Sequence, residues 1–274
     1  MMTKTYVLTG STSGIGYSLL KELSKDNVVF AGFRDEAKAN KLGFFENKNI
    51  IPFYIEMMNA ESIEKASEFI KSKTNQIDTL INCAGCVVAG AVQEIEINDI
   101  KKQFEVNTFS HLDLTQRLIP LLKNGKIINI SSMASFGVFP FIAPYCASKR
   151  ALDILFNSLE LENKYNIKCI SIKPGAIATP LWSKSVEMNK STLKNEDYQN
   201  EYEYLIKNAY KNEKFGLNPD KVIKVILKAD RLNNPKKSYT VGLDAKLAQI
   251  LTILPQGILN KLIKTGMKLK FIHQ

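Results

Sequence analysis

The chain has 274 residues, 45% of them hydrophobic and 23% charged, and 37 Lys and Arg against 27 Asp and Glu give a formal net charge of +10. That size and composition suit one or two globular domains with a sizeable core; no run of about 20 apolar residues suggests a membrane span, and no N-terminal apolar stretch with a cleavage signal suggests a secretory peptide. The basic balance invites nucleic acid as a partner, but the lysines are scattered, with no basic recognition helix and no interleaved aromatic platform, which argues against it.

From the N-terminus, TYVLTG reads as a short apolar strand running into Gly10. GIGYSLLKELSKD follows with helical spacing, Ile15, Leu19, Leu20 and Leu23 falling on one side. Gly10, Gly14 and Gly16 thus lie between a strand and a helix. Gly10 allows a tight turn, Gly14 lets the backbone approach a pyrophosphate, and Gly16 allows close helix–strand packing. The helix N-terminus adds free N–H groups and a positive dipole. The spacing is G-x-x-x-G-x-G rather than G-x-G-x-x-G, so it is the strand before and the helix after that make this a dinucleotide loop.

NVVFAGF reads as a buried second strand, and residues 35 to 42 as a helix. A carboxylate at the end of that strand would bond a ribose 2′-OH, whereas arginine accommodates a 2′-phosphate. Here the run is AGFRDE, with Phe33 at the position for the acid and Arg34 after it, which favours NADP(H) over NAD(H). The other reading pairs Arg34 with Asp35 or Glu36 at the surface.

IIPFYI is a third strand. A helix opens at Asn59 as N-cap and runs to residue 74, and IDTLIN is a fourth strand. The next residues, Cys83 to Cys86, have the spacing of a thiol redox site or half a zinc site. A redox dithiol normally heads a helix, and a zinc site needs further ligands absent nearby, so the cysteines read as incidental to a strand-end loop. Four cysteines in a chain this long do not suggest a disulfide framework, and a reducing cytoplasm is the expected compartment. Residues 98 to 122 form one long expected helix, stopped after Pro120. GKIINIS is a fifth strand, residues 143 to 163 a helix, and IKCISIKPG a sixth strand. Apolar strands alternating with amphipathic helices imply a parallel sheet covered on both faces, a single doubly wound domain over residues 1–274.

Tyr145 and Lys149, four apart in PYCASKRAL, share one helix face. A phenol titrates near 10 and needs help to act near neutrality; a cation beside it lowers that value. Ser132 sits at the end of the fifth strand, in INISSMAS, and strand C-terminal ends line the ligand crevice of an open parallel sheet. The three residues therefore converge by topology.

At this point the chain resembles the short-chain dehydrogenase/reductase family, over about residues 3 to 242. The resemblance rests on TGSTSGIG, NCAG, Asn107 in FEVNTF, Ser132, YCASK and PGAIAT, in this order. It implies a single Rossmann-type domain with a seven-stranded parallel sheet, catalysing NAD(P)-dependent interconversion of an alcohol and a carbonyl. Tyr145 would be the general acid/base, Lys149 would lower its pKa and bind the nicotinamide ribose, and Ser132 would bond the substrate oxygen. Asn107 would hold a water linking Lys149 to solvent. Cofactor contacts would come from Ser11, Ser13, Ile15 and the glycines of the loop, from Glu56 and Met57 after the third strand, and from Asn82, Ala84 and Gly85. Pro174, Gly175, Ile177 and Thr179 would complete that set. Two departures stand out. Cys83 replaces the family's second Asn, which would place a thiol open to reagents beside the cofactor, and Glu56 replaces a shorter acid. The resemblance also implies a dimer or tetramer built through the long helices, and no metal. A non-catalytic dinucleotide-binding regulator is the alternative on this fold; the Ser132–Tyr145–Lys149 set argues against it.

Residues 181 to 215 are polar and helical in character, and read either as a substrate lid or as a solvated insertion. PDKVIKVILKAD returns as a helix and KKSYTVG as the last strand. In the tail, residues 245–274, no acidic residue occurs, while Lys246, Lys261, Lys264, Lys268 and Lys270 do. Leu247, Ile250, Leu251 and Leu254 suit one amphipathic helix, and Ile258, Leu259, Leu262 and Ile263 a second after Pro255. Packing on the domain or on a partner subunit is one expectation for this tail, and peripheral contact with an anionic membrane is the other. The tail also resembles that of family members acting on lipids, which implies an apolar, lipid-like substrate.

Overall fold

A computed structural model describes residues 3–271, with side chains described to residue 266. Lys268 and Lys270 of the expected tail lie outside the described side chains. Seven strands, β1 (Thr5–Leu8), β2 (Val28–Phe33), β3 (Ile50–Tyr54), β4 (Thr79–Asn82), β5 (Lys126–Ile130), β6 (Lys168–Pro174) and β7 (Ser238–Val241), form one sheet in the order β3-β2-β1-β4-β5-β6-β7. Every pairing is parallel.

The register explains why these strands are apolar throughout. Val7 lies beside Phe30 and Leu80, and Leu80 beside Ile127, making one row across the sheet. Leu8, Ala31, Ile81 and Ile128 make the next. Successive side chains point to opposite faces, so the first row enters one core and the second the other. The Val7 row packs under α3 (Ala60–Lys73), α5 (Ser110–Leu118) and α6 (Ala143–Glu162), through Ile63, Ile70, Leu114, Leu118, Leu152 and Phe156. The Leu8 row packs under α1 (Gly14–Leu23) and α9 (Pro219–Arg231), through Leu19, Leu20, Leu23, Val222 and Ile226. Each such fully buried Leu or Ile contributes about 1.5–3 kcal/mol.

Local signals hold at the helix starts. Asn59 caps α3 by accepting from Ser62 N, and Asp35 caps α2 (Glu36–Lys41) by accepting from Lys38 N. The long helix expected over residues 98 to 122 differs. It is divided into α4 (Ile97–Phe104), a π-helical turn at Glu105–Phe109, α5, and a 3-10 turn at Ile119–Leu121. A π turn inserts one extra residue into the helical repeat, often at a functional site. Here it carries Asn107, buried between the β4 loop and α6.

The 181–215 excursion is helical, largely solvated on its outer side and anchored on its inner side. It folds as α7 (Leu181–Met188) and α8 (Gln199–Phe215), and Tyr202 of α8 is 2% exposed. The Asn189 carboxamide bonds Val87 O at 2.8 Å and Ala89 N at 2.9 Å, and Tyr202 Oη accepts from Ala91 N. The tail forms α10 (Leu243–Leu251) and α11 (Gln256–Phe271), broken near Pro255 as expected.

Candidate active site

The strand order reverses between β1 and β4, so their C-terminal ends flank the crevice where open α/β sheets bind ligands. Two loops meet there. Gly10 has φ +68°, and a side chain on it would begin 2.8 Å from the Ala84 backbone. A side chain on Gly16 would begin 2.2 Å from Gly10 O, so α1 reaches the loop only because that position is glycine. Ser11 donates to Gly32 O at 2.7 Å and is fully buried, which makes it a brace between loop and β2. Ser13 is the N-cap of α1 but its side chain makes no capping bond, leaving the first N–H groups of the helix available to an anion. Thr179, after β6, stands over Gly14 with its Cγ2 3.2 Å from where a side chain would start. Pro174 ends β6, Gly175 N bonds Val241 O, and buried Ile177 bridges to Leu217. This cradle fits a dinucleotide: a glycine turn, an uncapped helix N-terminus and a crevice.

The β4 loop is pinned from below. Thr9 Oγ1 accepts from Cys83 N at 3.0 Å and Ala84 N at 3.2 Å, and His111 Nε2 lies 2.9 Å from Ala84 O. The Asn82 side chain points into the sheet. It is 1% exposed, and its Nδ2 donates to Asn129 Oδ1 inside the sheet. Met57 is likewise turned into the core under α3, and only its carbonyl meets another polar group, the Ser110 hydroxyl. Burial pushes the half-buried Cys83 thiol up to about 12, which works against the expected sensitivity to thiol reagents, because only the thiolate reacts readily.

Arg34, in the bend between β2 and α2, pairs with neither Asp35 nor Glu36. Its Nε lies 3.5 Å from Glu56 Oε2, its side chain 73% exposed, so the Glu56 carboxylate turns toward the arginine. Two further cations that sequence reading passed over gather near it. Lys184 on α7 is held below the usual lysine range by partial burial, then by repulsion from Lys38 and Arg34. Only the packing of α7 brings Lys184 to α2; nothing in the local sequence signals it.

The catalytic candidates converge as the topology requires. Ser132 caps the 3-10 turn Met133–Phe136 after β5, its Oγ accepting from Ala134 N, and its hydroxyl lies near enough to Tyr145 to favour the phenolate. Tyr145 and Lys149 lie on the first turns of α6. The Lys149 ammonium sits 6.0 Å from the Tyr145 ring centroid and donates to Ile130 O at 2.8 Å. Asn107 Nδ2 donates to Cys86 O and Ser148 Oγ, and its Oδ1 accepts from Cys86 N. Ser148 Oγ then donates to Tyr145 O. The Asn107 carboxamide is thus a strut from the β4 loop to α6. The electrostatics also differ from expectation. Burial pushes the Tyr145 phenol up to about 12, against the Ser132 hydrogen bond, and burial lowers Lys149. Desolvation is the largest effect on both groups.

Beside this set opens a cavity of about 580 Å³. Its walls include Val87, Met133, Phe136, Phe141 and Ile142 from the sheet side. Trp182, Val186, Leu193 and Leu205 come from the α7–α8 excursion, and Leu251, Leu259 and Ile263 from the tail. Met133 is next to Ser132, and Ile142 is three residues before Tyr145. Phe136 is braced from behind by the Lys173 ammonium, 4.6 Å from its ring centroid, and Lys173 pairs with buried Asp153 at 2.8 Å.

Residues 4–190 match the family model described as short chain dehydrogenase. The chain is 30% identical to the NADPH-dependent 3-dehydrocapnine reductase of Ornithobacterium rhinotracheale, over 96% of each chain. It is 28% identical to the 3-ketodihydrosphingosine reductase of Bacteroides thetaiotaomicron, over 92% of this chain and 91% of the other. A solved short-chain dehydrogenase from Streptomyces avermitilis superposes with a TM-score of 0.79, at 21% identity, covering 98% of this chain and 97% of that one.

Proposed function

The chain belongs to the short-chain dehydrogenase family, oxidoreductases acting between alcohol and carbonyl, and we propose that it reduces a ketone on an apolar, long-chain substrate with NADP(H). The observation that carries this reading is the apolar cavity of about 580 Å³ beside Ser132 and Tyr145. Two relatives point the same way, being named reductases of 3-dehydro and 3-keto compounds. The exposed Arg34, with Lys38 and Lys184 near it, supports a cofactor bearing a 2′-phosphate.

The nicotinamide would supply the hydride. The protein supplies the rest. Ser132 Oγ bonds the carbonyl oxygen, stabilising the charge that develops there. Tyr145 Oη gives its proton to that oxygen as it becomes a hydroxyl. A phenol raised to about 12 is fully protonated at neutral pH, so the acid stands loaded. Lys149, buried and close to the ring, favours the phenolate left behind. Asn107 and Ser148 hold the helix turn that aims the phenol.

The test follows NADPH absorbance with 3-ketones of rising chain length. Each added methylene should raise kcat/KM about fourfold until the cavity is full, matching roughly 0.8 kcal/mol per buried CH2. Tyr145→Phe should cost about 100- to 10,000-fold in turnover while NADPH fluorescence titration stays unchanged. Turnover indifferent to chain length, or equal in wild type and Tyr145→Phe, defeats the proposal.

A further inference from the structure

The two tail helices present two apolar faces, and the cavity uses one. Ala248 and Leu251 of α10 and Leu259, Ile263 and Gly266 of α11 line it. On α11 these inner residues recur every three or four positions, as one side of a helix does. The outer side is also apolar. Leu243, Ile250, Ile253, Ile258 and Leu262 do not line this cavity, and they are between 51% and 85% exposed. An apolar face of this kind marks a contact with something.

Charge decides between occupants. Exposed Lys246, Lys261 and Lys264 lie on the same two helices, and no acidic residue follows Asp244 in the sequence. A second copy docked through this face in a two-fold dimer would bring the patch onto itself. Lysines would then meet lysines, while Asp244, the one carboxylate on these helices, is held by Ala176 N at the start of α10. An anionic bilayer complements both features, since phosphates meet the lysines and the acyl boundary takes the apolar residues. No described helix is long and apolar enough to span, so the contact is peripheral.

We propose that α10 and α11 seat the protein on an anionic bilayer, with the cavity behind the same helices. Docking stands independently of the activity. Its consequence, that substrate passes from bilayer to cavity without crossing bulk water, rests on the proposed function.

The test uses the full chain and sedimentation with vesicles of phosphatidylcholine alone or mixed with phosphatidylglycerol. Wild type should pellet with the anionic vesicles and be released by high salt. Lys246→Glu/Lys261→Glu/Lys264→Glu should lose roughly a hundredfold in partitioning, at about fivefold or more per lysine. Ile250→Ser/Ile253→Ser/Ile258→Ser should lose at least as much. Both variants should keep the thermal melt of wild type and its reduction of a short, water-soluble ketone. Retained reduction with lost binding supports docking, and absent reduction with retained vesicle binding removes the activity but leaves docking standing. Wild type that ignores anionic vesicles, or partitions no better than both variants, overturns the proposal. So does light scattering that shows a dimer broken by the Ile→Ser variant while its vesicle binding is unchanged.

Discussion

Lowering the pH should unfold this protein through one imidazole. His111 is fully buried on α5, with Nε2 2.9 Å from Ala84 O, and its Nδ1 has no partner among the described residues. A second proton would have to sit on that nitrogen, out of water and without an acceptor. Burial accordingly pushes His111 down to about 3 from an ordinary 6.5, with the nearby Lys149 charge adding to the shift. The sign follows directly. The unfolded chain binds the proton near pH 6.5 and the folded one only near 3, so the neutral ring stabilises the fold above 6.5. That contribution is lost as pH falls between those values. Relative to pH 7, the loss is about 2 kcal/mol at pH 5 and about 3 kcal/mol at pH 4. For a domain whose whole stability is about 5–15 kcal/mol, that is a large fraction.

The assay is urea unfolding at pH 7, 5 and 4 on wild type and His111→Gln. The glutamine amide is neutral throughout and keeps an N–H to offer Ala84. Carboxylates titrate in both proteins and cancel in the difference. Wild type should lose about 2 kcal/mol more than the variant between pH 7 and 5. Parallel losses would refute the argument from burial. Because His111 supports the Ala84 carbonyl beneath the dinucleotide crevice, the same acid range should weaken cofactor binding before global unfolding.

Arg34→Ala should weaken NADPH binding by roughly 10- to 100-fold, the worth of one charge-assisted contact, and leave NADH nearly unchanged by isothermal titration. Equal losses for both cofactors count against a 2′-phosphate contact. Asn189→Ala orphans the Ala89 N–H and should cost about 1–3 kcal/mol. Hydrogen exchange should speed in α7 and α8 first, because this element is tied to the β4 loop through a few polar bonds; uniform speeding would show no separate lid unit.

Strand and helix order was legible because each strand carries two buried faces and each helix one, and those periodicities are local. The convergence of the candidate set was legible for a different reason: Ser132 follows β5 and Tyr145 begins the next long helix, so topology alone carries them together. What sequence missed depends on distant packing. The π turn at Asn107 adds one residue to a repeat that still reads as helical. Asn82 alternates inward only because Asn129 on β5 offers it a partner. Lys184 reaches Lys38 and Arg34 through the docking of α7, and the residue type alone carries no sign of it. In the tail, apolar spacing marked two helices without saying that both of their faces are apolar.

The phenol itself gives the sharpest check on the chemistry. Reduction needs Tyr145 protonated and oxidation needs it ionised, so its pKa sets how the two directions respond to pH. Burial raises it to about 12 and also lowers Lys149, because neither charged form is well solvated in the pocket. Carbon-13 labelling of the tyrosine rings and an alkaline NMR titration can read this site, the resonance absent from Tyr145→Phe being its assignment. It should still be protonated at pH 10, where a free phenol is half ionised. A Tyr145 resonance that titrates below 10 without ligand would mean the Lys149 cation already outweighs desolvation. The loaded-acid account of this active site would then have to give way to a preformed phenolate.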